Sequence, residues 1–338
     1  MKTICICGGG NLGHVVATML AAQGEYTVNI FTNRPQLWSH RLCVELPDGS
    51  QSEGDISTIS SQADIAAGNA DIVLLCLPGF LIKENIDKIV PHLKPSAVVG
   101  SIVSSTGFFF EAMKNIPEGH ALFGFQRVPY IARTIEYGHK SALLGFKPSL
   151  NVSIERCSDS NNLREELEKM FTTPVRLLNN YYEASLTNSN PLLHPARLYG
   201  LWNKWSKGTV YDRIPYFYEE WDEFSAELYI NMDNEFQQLL RKLPVEEGCI
   251  PSVLDYYESK DAASLARKLR SIEAFKGILS PMKAEENGFV PDFKSRYFTE
   301  DFPYGLRFIK ELAEEKKINT PYINKVYSWG SKFLSSEI

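Results

Sequence analysis

Short apolar runs alternate with helical patterns through the first half of the chain. Such runs are nearly continuous in apolar residues, which is typical of strands buried on both faces of a parallel sheet. Four of them lie at 3–6, 28–31, 71–77 and 97–102. Residues 14–22, and a segment that continues to about Ile89, predict the helices between them. This alternation predicts βαβ units and therefore a doubly wound, Rossmann-type sheet.

Strand patterns then follow one another without long helices, which predicts an extra antiparallel section. These strands are expected at 121–126, 141–146, 150–155 and 175–178. A short amphipathic helix is expected at 162–171. The α/β domain is therefore predicted to span residues 1–180.

Helical periodicity dominates after residue 180, and we expect an all-α domain over 181–338, joined by a packed hinge beside a cleft. One long helix is predicted over 214–239, because apolar residues recur there every three or four positions. Its acidic residues, including Glu220 and Asp222, are expected to form a solvated face. Further helices are predicted at 261–275, 303–315 and 320–334.

Composition and charge narrow the function classes. The 338 residues carry a net charge of −6 and no basic block, so neither nucleic acid nor an anionic membrane is an expected partner. No apolar run reaches the ~20 residues of a membrane span, and the first residues form a strand pattern and not a signal peptide. The six cysteines form no C-x-x-C pair, which favours a reducing cytoplasm. The six histidines are scattered without metal-ligand spacing, so no metal is expected.

Glycines at 8, 10 and 13 form a G-x-G-x-x-G pattern that also includes Asn11 and Leu12. The pattern lies between the first strand and the first helix, which is the context of a dinucleotide site. Gly8 would allow a tight turn, Gly10 the approach of a pyrophosphate, and Gly13 the close packing of helix on strand. The free N–H groups at the helix N-terminus would bind the phosphates.

The end of the second strand bears on which dinucleotide is bound. NAD-binding versions of this fold place an acidic residue there, but this chain has Asn33 and Arg34. An arginine pairs well with a 2′-phosphate, so we favour NADP over NAD, although Arg34 facing solvent or stacking on adenine remains an alternative. Pro78, at the end of a later strand, is expected near the nicotinamide ribose.

Two segments of the second half carry candidate chemistry. Asn190 and His194 are four residues apart and share a helix face, where an imidazole could exchange protons near neutral pH. Asp301 precedes Pro303, so it is either a helix N-cap or the carboxylate that orients an imidazole. Arg296 could bind a phosphate or a carboxylate.

Four motifs together resemble the opine dehydrogenases, the octopine/nopaline dehydrogenase group. They are GGGNLGH, LPGF, NPLLHPAR and SRYFTEDFPYGL, and the resemblance extends from residue 3 to about 315. It implies NADH- or NADPH-dependent condensation of an α-keto acid with an amino acid through an imine. It also implies a catalytic His194–Asp301 pair, cofactor contact by Arg296, and substrate contacts by Gln126 and Asn190.

Two other functions stay open at this stage. One is a 2-hydroxy acid or ketopantoate-type reductase that acts on a carbonyl without an amine, although such enzymes place a lysine in the cleft, and only Lys204 and Lys207 follow the histidine segment. The other is a non-catalytic dinucleotide sensor. The sequence also leaves the oligomeric state open, a homodimer included.

Overall fold

The computed structural model describes residues 1–334, and the chain forms two units that divide after Thr187. The sequence predicts this division at residue 180. The difference is one short helix, Tyr181–Ser185, which packs on strands of the first unit.

The first unit follows the predicted alternation and then becomes mainly strands. Its strands are β1 Lys2–Cys7, β2 Tyr26–Phe31, β3 Arg41–Glu45, β4 Gln51–Asp55, β5 Thr58–Ser60, β6 Ile72–Leu75, β7 Val98–Ser101, β8 Leu122–Phe125, β9 Tyr130–Glu136, β10 Lys140–Phe146, β11 Leu150–Glu155 and β12 Val175–Leu177. Its helices are α1 Asn11–Ala22, α2 Ala63–Ala67, α3 Gly79–Ile89, α4 Phe108–Asn115, α5 Ser160–Phe171 and α6 Tyr181–Ser185.

Eight of these strands form one sheet in the order β12-β11-β8-β7-β6-β1-β2-β5. Every neighbouring pair is parallel except β8 with β11. Apolar side chains cover both faces: α1 and α5 pack on one, and α2, α3 and α4 on the other. The predicted Rossmann-type sheet is confirmed. β1 is an interior strand between β6 and β2, so the glycine loop leaves the interior of the sheet.

A second sheet, in the order β4-β3-β10-β9, supplies the extra section. Within it β3 with β4 and β9 with β10 are antiparallel, but β3 and β10 pair in parallel. The prediction placed β10 in this section but missed three of its strands. These strands alternate exposed polar residues with few buried ones, as in β4 (Gln51–Asp55), so they lack a continuous apolar run. In addition, β8, β11 and β12, which were also expected in this section, belong to the main sheet.

The second unit is mainly helical. Its elements are α7 Asn190–Trp202, α8 Glu223–Leu240, α9 Val253–Tyr256, α10 Ala262–Ser271, β13 Met282–Glu285, β14 Gly288–Pro291, α11 Arg296–Thr299, α12 Arg307–Glu315 and α13 Pro321–Leu334. A π-helical turn, Phe302–Leu306, leads into α12, and its first bond joins the Leu306 N–H to the Asp301 carbonyl. In residues 1–334 no helix is long and apolar enough to cross a membrane.

One expectation for this unit is wrong. The long helix over 214–239 is only α8, because Pro215 lies in the first part and the Asp222 side chain caps a new helix by accepting from the Ser225 N–H. Phe224, expected in the buried stripe, is therefore 51% exposed. The predicted helical domain is confirmed, and it also contains one antiparallel hairpin, formed by β13 and β14.

Candidate active site

The three glycines of the loop after β1 differ in what surrounds them. Gly8 has φ of +121°, and a Cβ there would lie 2.6 Å from the Cys76 carbonyl oxygen. A Cβ at Gly13 would lie 2.0 Å from the Gly8 carbonyl oxygen, so α1 packs directly on the loop. At Gly10 a Cβ would meet nothing within 4 Å. Protein atoms therefore occupy the space beside Gly8 and Gly13, whereas the middle glycine, Gly10, faces open space.

A cavity of about 320 Å³ lies against this loop. Its lining includes residues 8–10, Asn33, Arg34, Pro78 and Tyr137. No aspartate or glutamate is among the described residues that line it. These features fit a dinucleotide: bare backbone for a pyrophosphate, the α1 N-terminus for its charge, and a cation at the end of β2.

Not every predicted cofactor residue faces this cavity. Asn11 and Leu12 are outside its lining, and the Asn11 side chain accepts a hydrogen bond from the Thr134 N–H of β9 at 2.9 Å. The Asn11 side chain therefore links α1 to the second sheet, so only the backbone N–H of Asn11 could bind a phosphate.

Sequence reasoning missed how the β9–β10 turn covers the loop. His14 is 2% exposed, its Nδ1 bonds the Gly10 carbonyl at 2.9 Å, and its Nε2 accepts the Gly138 N–H at 2.7 Å. The neighbouring Tyr137 packs edge-on against this ring, and a Cβ at Gly9 would lie 2.4 Å from its hydroxyl. The signal in the sequence was a histidine in the first turn of a buried helix.

The second unit brings His194 and Asp301 together. The imidazole Nδ1 lies 2.7 Å from Asp301 Oδ2, and the two side chains are 11% and 14% exposed. Asp301 precedes the π-turn, but its side chain makes no capping bond there. Of the two interpretations of Asp301, the structure has the carboxylate that orients an imidazole. A proton on Nδ1 then leaves Nε2 for proton exchange.

Nε2 of His194 has a partner that the sequence did not predict. The Tyr218 hydroxyl lies 2.9 Å away, on the irregular segment before α8. Burial, with the charge of nearby groups, raises the pKa of this phenol well above its ordinary value, so it is present as O–H. The apolar periodicity predicts that Tyr218 lies within a helix over 214–239, and that prediction gives no reason to expect its side chain next to His194.

Arg197, one turn after His194 on α7, is 1% exposed. Its guanidinium donates to Asp222 Oδ2 at 2.7 Å, to the Phe217 carbonyl at 2.9 Å and to the Glu220 carbonyl at 2.7 Å. Glu220 also accepts from Arg213, which lowers the pKa of Glu220 to about 2. The acidic face expected to be only solvated is thus partly engaged in ion pairs, and these bonds shape the segment that carries Tyr218.

Three further predicted residues lie in different settings. Asn190 is the first residue of α7, four residues before His194 as predicted, and is half-buried. Arg296 begins α11 and is exposed. Gln126 uses both of its amide hydrogens within the first unit, bonding the Glu183 carbonyl and the Thr187 hydroxyl at 3.1 and 3.0 Å.

Comparisons with known proteins find matches to both halves of the chain. The family model for the NAD/NADP octopine/nopaline dehydrogenase α-helical domain matches residues 177–334, and the model for ketopantoate reductase PanE/ApbA matches 4–124. The chain is 27% identical to an opine dehydrogenase of Haliotis discus hannai, covering 99% of this chain and 91% of that one. It is 26% identical to an octopine dehydrogenase of Pecten maximus, covering 99% and 90%.

A solved structure gives the same picture. Octopine dehydrogenase in complex with NADH and agmatine is 26% identical, with a TM-score of 0.82 over 98% of this chain and 89% of that one. The fold, the family model for the helical domain and the curated relatives therefore agree. Over nearly its whole length this chain is thus similar to opine and octopine dehydrogenases, and it is an NAD(P)-dependent dehydrogenase acting on CH–NH bonds.

Proposed function

We propose that this chain condenses an α-keto acid with the amine of an amino acid and reduces the resulting imine, with His194 as the acid–base group. The observation that carries the proposal is the 2.7 Å hydrogen bond that Asp301 Oδ2 accepts from the His194 Nδ1–H, which fixes the imidazole and leaves Nε2 for proton transfer. Similarity to opine and octopine dehydrogenases over nearly the whole chain supports this substrate class.

His194 has two tasks in this scheme. It takes a proton from the incoming ammonium, so that the free amine can attack the keto carbon, and it returns a proton to the departing hydroxyl, which leaves as water. Asp301 stabilises the imidazolium between these steps. A bound dinucleotide would supply the hydride that reduces the imine carbon.

The substrate-holding residues form a second part of the proposal. Asn190 shares a face of α7 with His194, which supports a contact with substrate. Both N–H groups of the Gln126 amide are already hydrogen-bonded. Its carbonyl oxygen accepts one bond from Asn151 and has a second lone pair, which could accept a hydrogen bond from a substrate ammonium. Arg296, exposed at the start of α11, would contact the cofactor.

For the cofactor we propose a preference for NADPH. The support is the cavity lining, which contains Asn33 and Arg34 and, among the described residues, no carboxylate for a ribose hydroxyl. Replacing Arg34 with alanine should lower kcat/KM for NADPH about 10–100-fold, the loss expected for a charged hydrogen bond, and should leave NADH nearly unaffected. Equal losses with both cofactors, or a strong wild-type preference for NADH, would contradict this proposal.

The deciding experiment is a matrix of α-keto acids against amino acids, followed by NADPH and NADH oxidation, with His194→Ala as the control. Oxidation that needs both substrates supports the proposal, and the variant should lose activity by orders of magnitude while cofactor binding survives. Oxidation with the keto acid alone would favour the carbonyl reductase. Cofactor binding without turnover across the matrix would favour the sensor.

Location and assembly remain proposals. All six cysteines are free, which supports a reducing compartment such as the cytoplasm. A homodimer is tested by measuring the molar mass in solution at several protein concentrations.

A further inference from the structure

Both ring nitrogens of His194 have partners in the structure. Asp301 holds Nδ1, and the Tyr218 hydroxyl lies 2.9 Å from Nε2. A neutral imidazole with its proton on Nδ1 accepts the Tyr218 O–H at Nε2. A proton that leaves a substrate must therefore either pass through the tyrosine oxygen or reach Nε2 after Tyr218 has moved away.

The packing of the Tyr218 ring opposes its movement. The side chain is 5% exposed and stacks on Phe275 with a centroid distance of 4.0 Å and an interplanar angle of 17°. Its ring is also parallel to Trp221 within 14°. Moving the ring would break these contacts, and burial of an aromatic side chain is a large part of local stability.

Arg197 fixes the backbone on either side of Tyr218. Its buried guanidinium holds the carbonyls of Phe217 and Glu220, and its bond to Asp222 joins the same segment to the start of α8. Since Arg197 and His194 are one turn apart on α7, one helix carries both the imidazole and the anchor for the hydroxyl that meets it.

We propose that the Tyr218 hydroxyl relays protons between the substrate and Nε2 of His194, and that Arg197 is the positioning residue for this relay. The proposal rests on the proposed function, because it names the group through which that acid–base chemistry runs.

The proton movements balance in both steps. In the first, the substrate ammonium gives a proton to the Tyr218 oxygen while the Tyr218 proton passes to Nε2, which produces a free amine and an imidazolium. In the second, Nε2–H returns its proton to the Tyr218 oxygen, and the Tyr218 proton passes to the hydroxyl of the carbinolamine, which leaves as water. The phenol begins and ends each step as O–H.

Tyr218→Phe tests the relay, because it keeps the stacked ring and removes only the hydroxyl. We expect kcat for the condensation to fall about 100-fold, within the range of acid–base catalysis, with the dinucleotide Kd unchanged. The dependence of kcat on the fraction of D₂O should be curved for the wild type, with two protons in motion, and linear for the variant. Tyr229→Phe, another buried phenol that packs on Trp221, is the matched control and should keep wild-type kinetics.

Arg197→Lys tests the positioning role. Lysine keeps the charge beside Asp222 but loses the fork that binds several acceptors, so we expect kcat to fall about 10-fold with little change in KM. Combined with Tyr218→Phe, it should cause no further loss, because the hydroxyl that it positions is already absent. Losses that multiply in the double variant would overturn the positioning role.

The outcomes separate this proposal from the proposed function. If the wild type turns over and kcat of Tyr218→Phe is within about threefold of the wild-type kcat, the relay is overturned and the proposed function stands. Absence of turnover in the wild type, across the substrate matrix, would overturn the proposed function and the relay with it. A loss confined to Tyr218→Phe, with the changed D₂O dependence, supports the relay.

Discussion

Replacing Asp301 with asparagine tests the interaction on which the proposed chemistry depends. The substitution changes one oxygen to an amide and keeps the size of the side chain. An asparagine can still accept the Nδ1–H of His194, but it cannot offer a negative charge to an imidazolium. The variant therefore separates the hydrogen bond from the charge.

The size of the effect follows from the geometry. The Oδ2–Nδ1 distance is 2.7 Å and both side chains are largely buried, so the centres of charge lie roughly 4 Å apart. At an effective dielectric constant near 20, two unit charges at that distance attract by about 4 kcal/mol. Complete loss of that attraction corresponds to about a 1,000-fold fall in rate. Because the neutral bond remains, we expect kcat to fall about 100- to 1,000-fold.

Steady-state oxidation of the reduced cofactor, with keto acid and amine both saturating, measures this loss. Asp292→Asn is the control, since it makes the same chemical change in a carboxylate that accepts the Lys294 backbone N–H at 3.0 Å. The dinucleotide Kd should be unchanged in both variants. An Asp301→Asn enzyme that keeps kcat within about fivefold of the wild type would refute the charge argument.

Two further predictions concern stability and the loop. Burial raises the pKa of Asp233 to about 6, so the folded state prefers the protonated acid, and the contribution of Asp233 to stability falls as the pH rises from about 4 to 6. Asp233→Asn should therefore raise the free energy of unfolding by about 1–2 kcal/mol at pH 7 and remove this pH dependence in urea unfolding. A variant that is less stable than the wild type at pH 7 would contradict this. Gly10→Ala should unfold like the wild type but bind dinucleotide about 10-fold more weakly or worse. Gly13→Ala should lose about 2 kcal/mol of unfolding free energy, because its Cβ meets the Gly8 carbonyl. Calorimetry and dinucleotide titration of both variants measure these effects, and the opposite result would refute the roles assigned to the two glycines.

The inner strands of the main sheet were predictable because they are buried on both faces. Continuous runs such as β6 (Ile72–Leu75) have no polar residue to confuse the period. The second sheet was not predictable by the same rule, since β3 and β4 have an exposed face and carry charges along it. The hairpin of β13 and β14 did carry a turn signal, Asn287 followed by Gly288, but its two strands are short and largely exposed, so they lack an apolar run.

The candidate site was half predictable. His194 and Asp301 stand out because their residue types suit proton transfer. Tyr218 and Arg197 do not, because an aromatic residue and an arginine at helical spacing look like a core stripe and a solvated face. Only the tertiary structure shows that residues 211–222 leave the helical path, with the acceptors of this segment satisfied by a guanidinium from α7. Pro215 and the N-cap at Asp222 were the signals that a helix could not pass through.

The π-helical turn after Asp301 has a consequence for insertions and deletions in this protein. A π-turn contains one residue more than an α-helical turn, and here the extra residue lies between Asp301 and the amphipathic helix α12. Removing one residue from Phe302–Leu306 would let α12 continue regularly backwards, and Asp301 would rotate by about 100° around the helix axis. The carboxylate would then no longer point at His194, although every side chain of the site would still be present in the sequence. Chain length at this turn is therefore as strict a requirement as residue identity, and a relative that lacks the extra residue would have to orient its imidazole in another way.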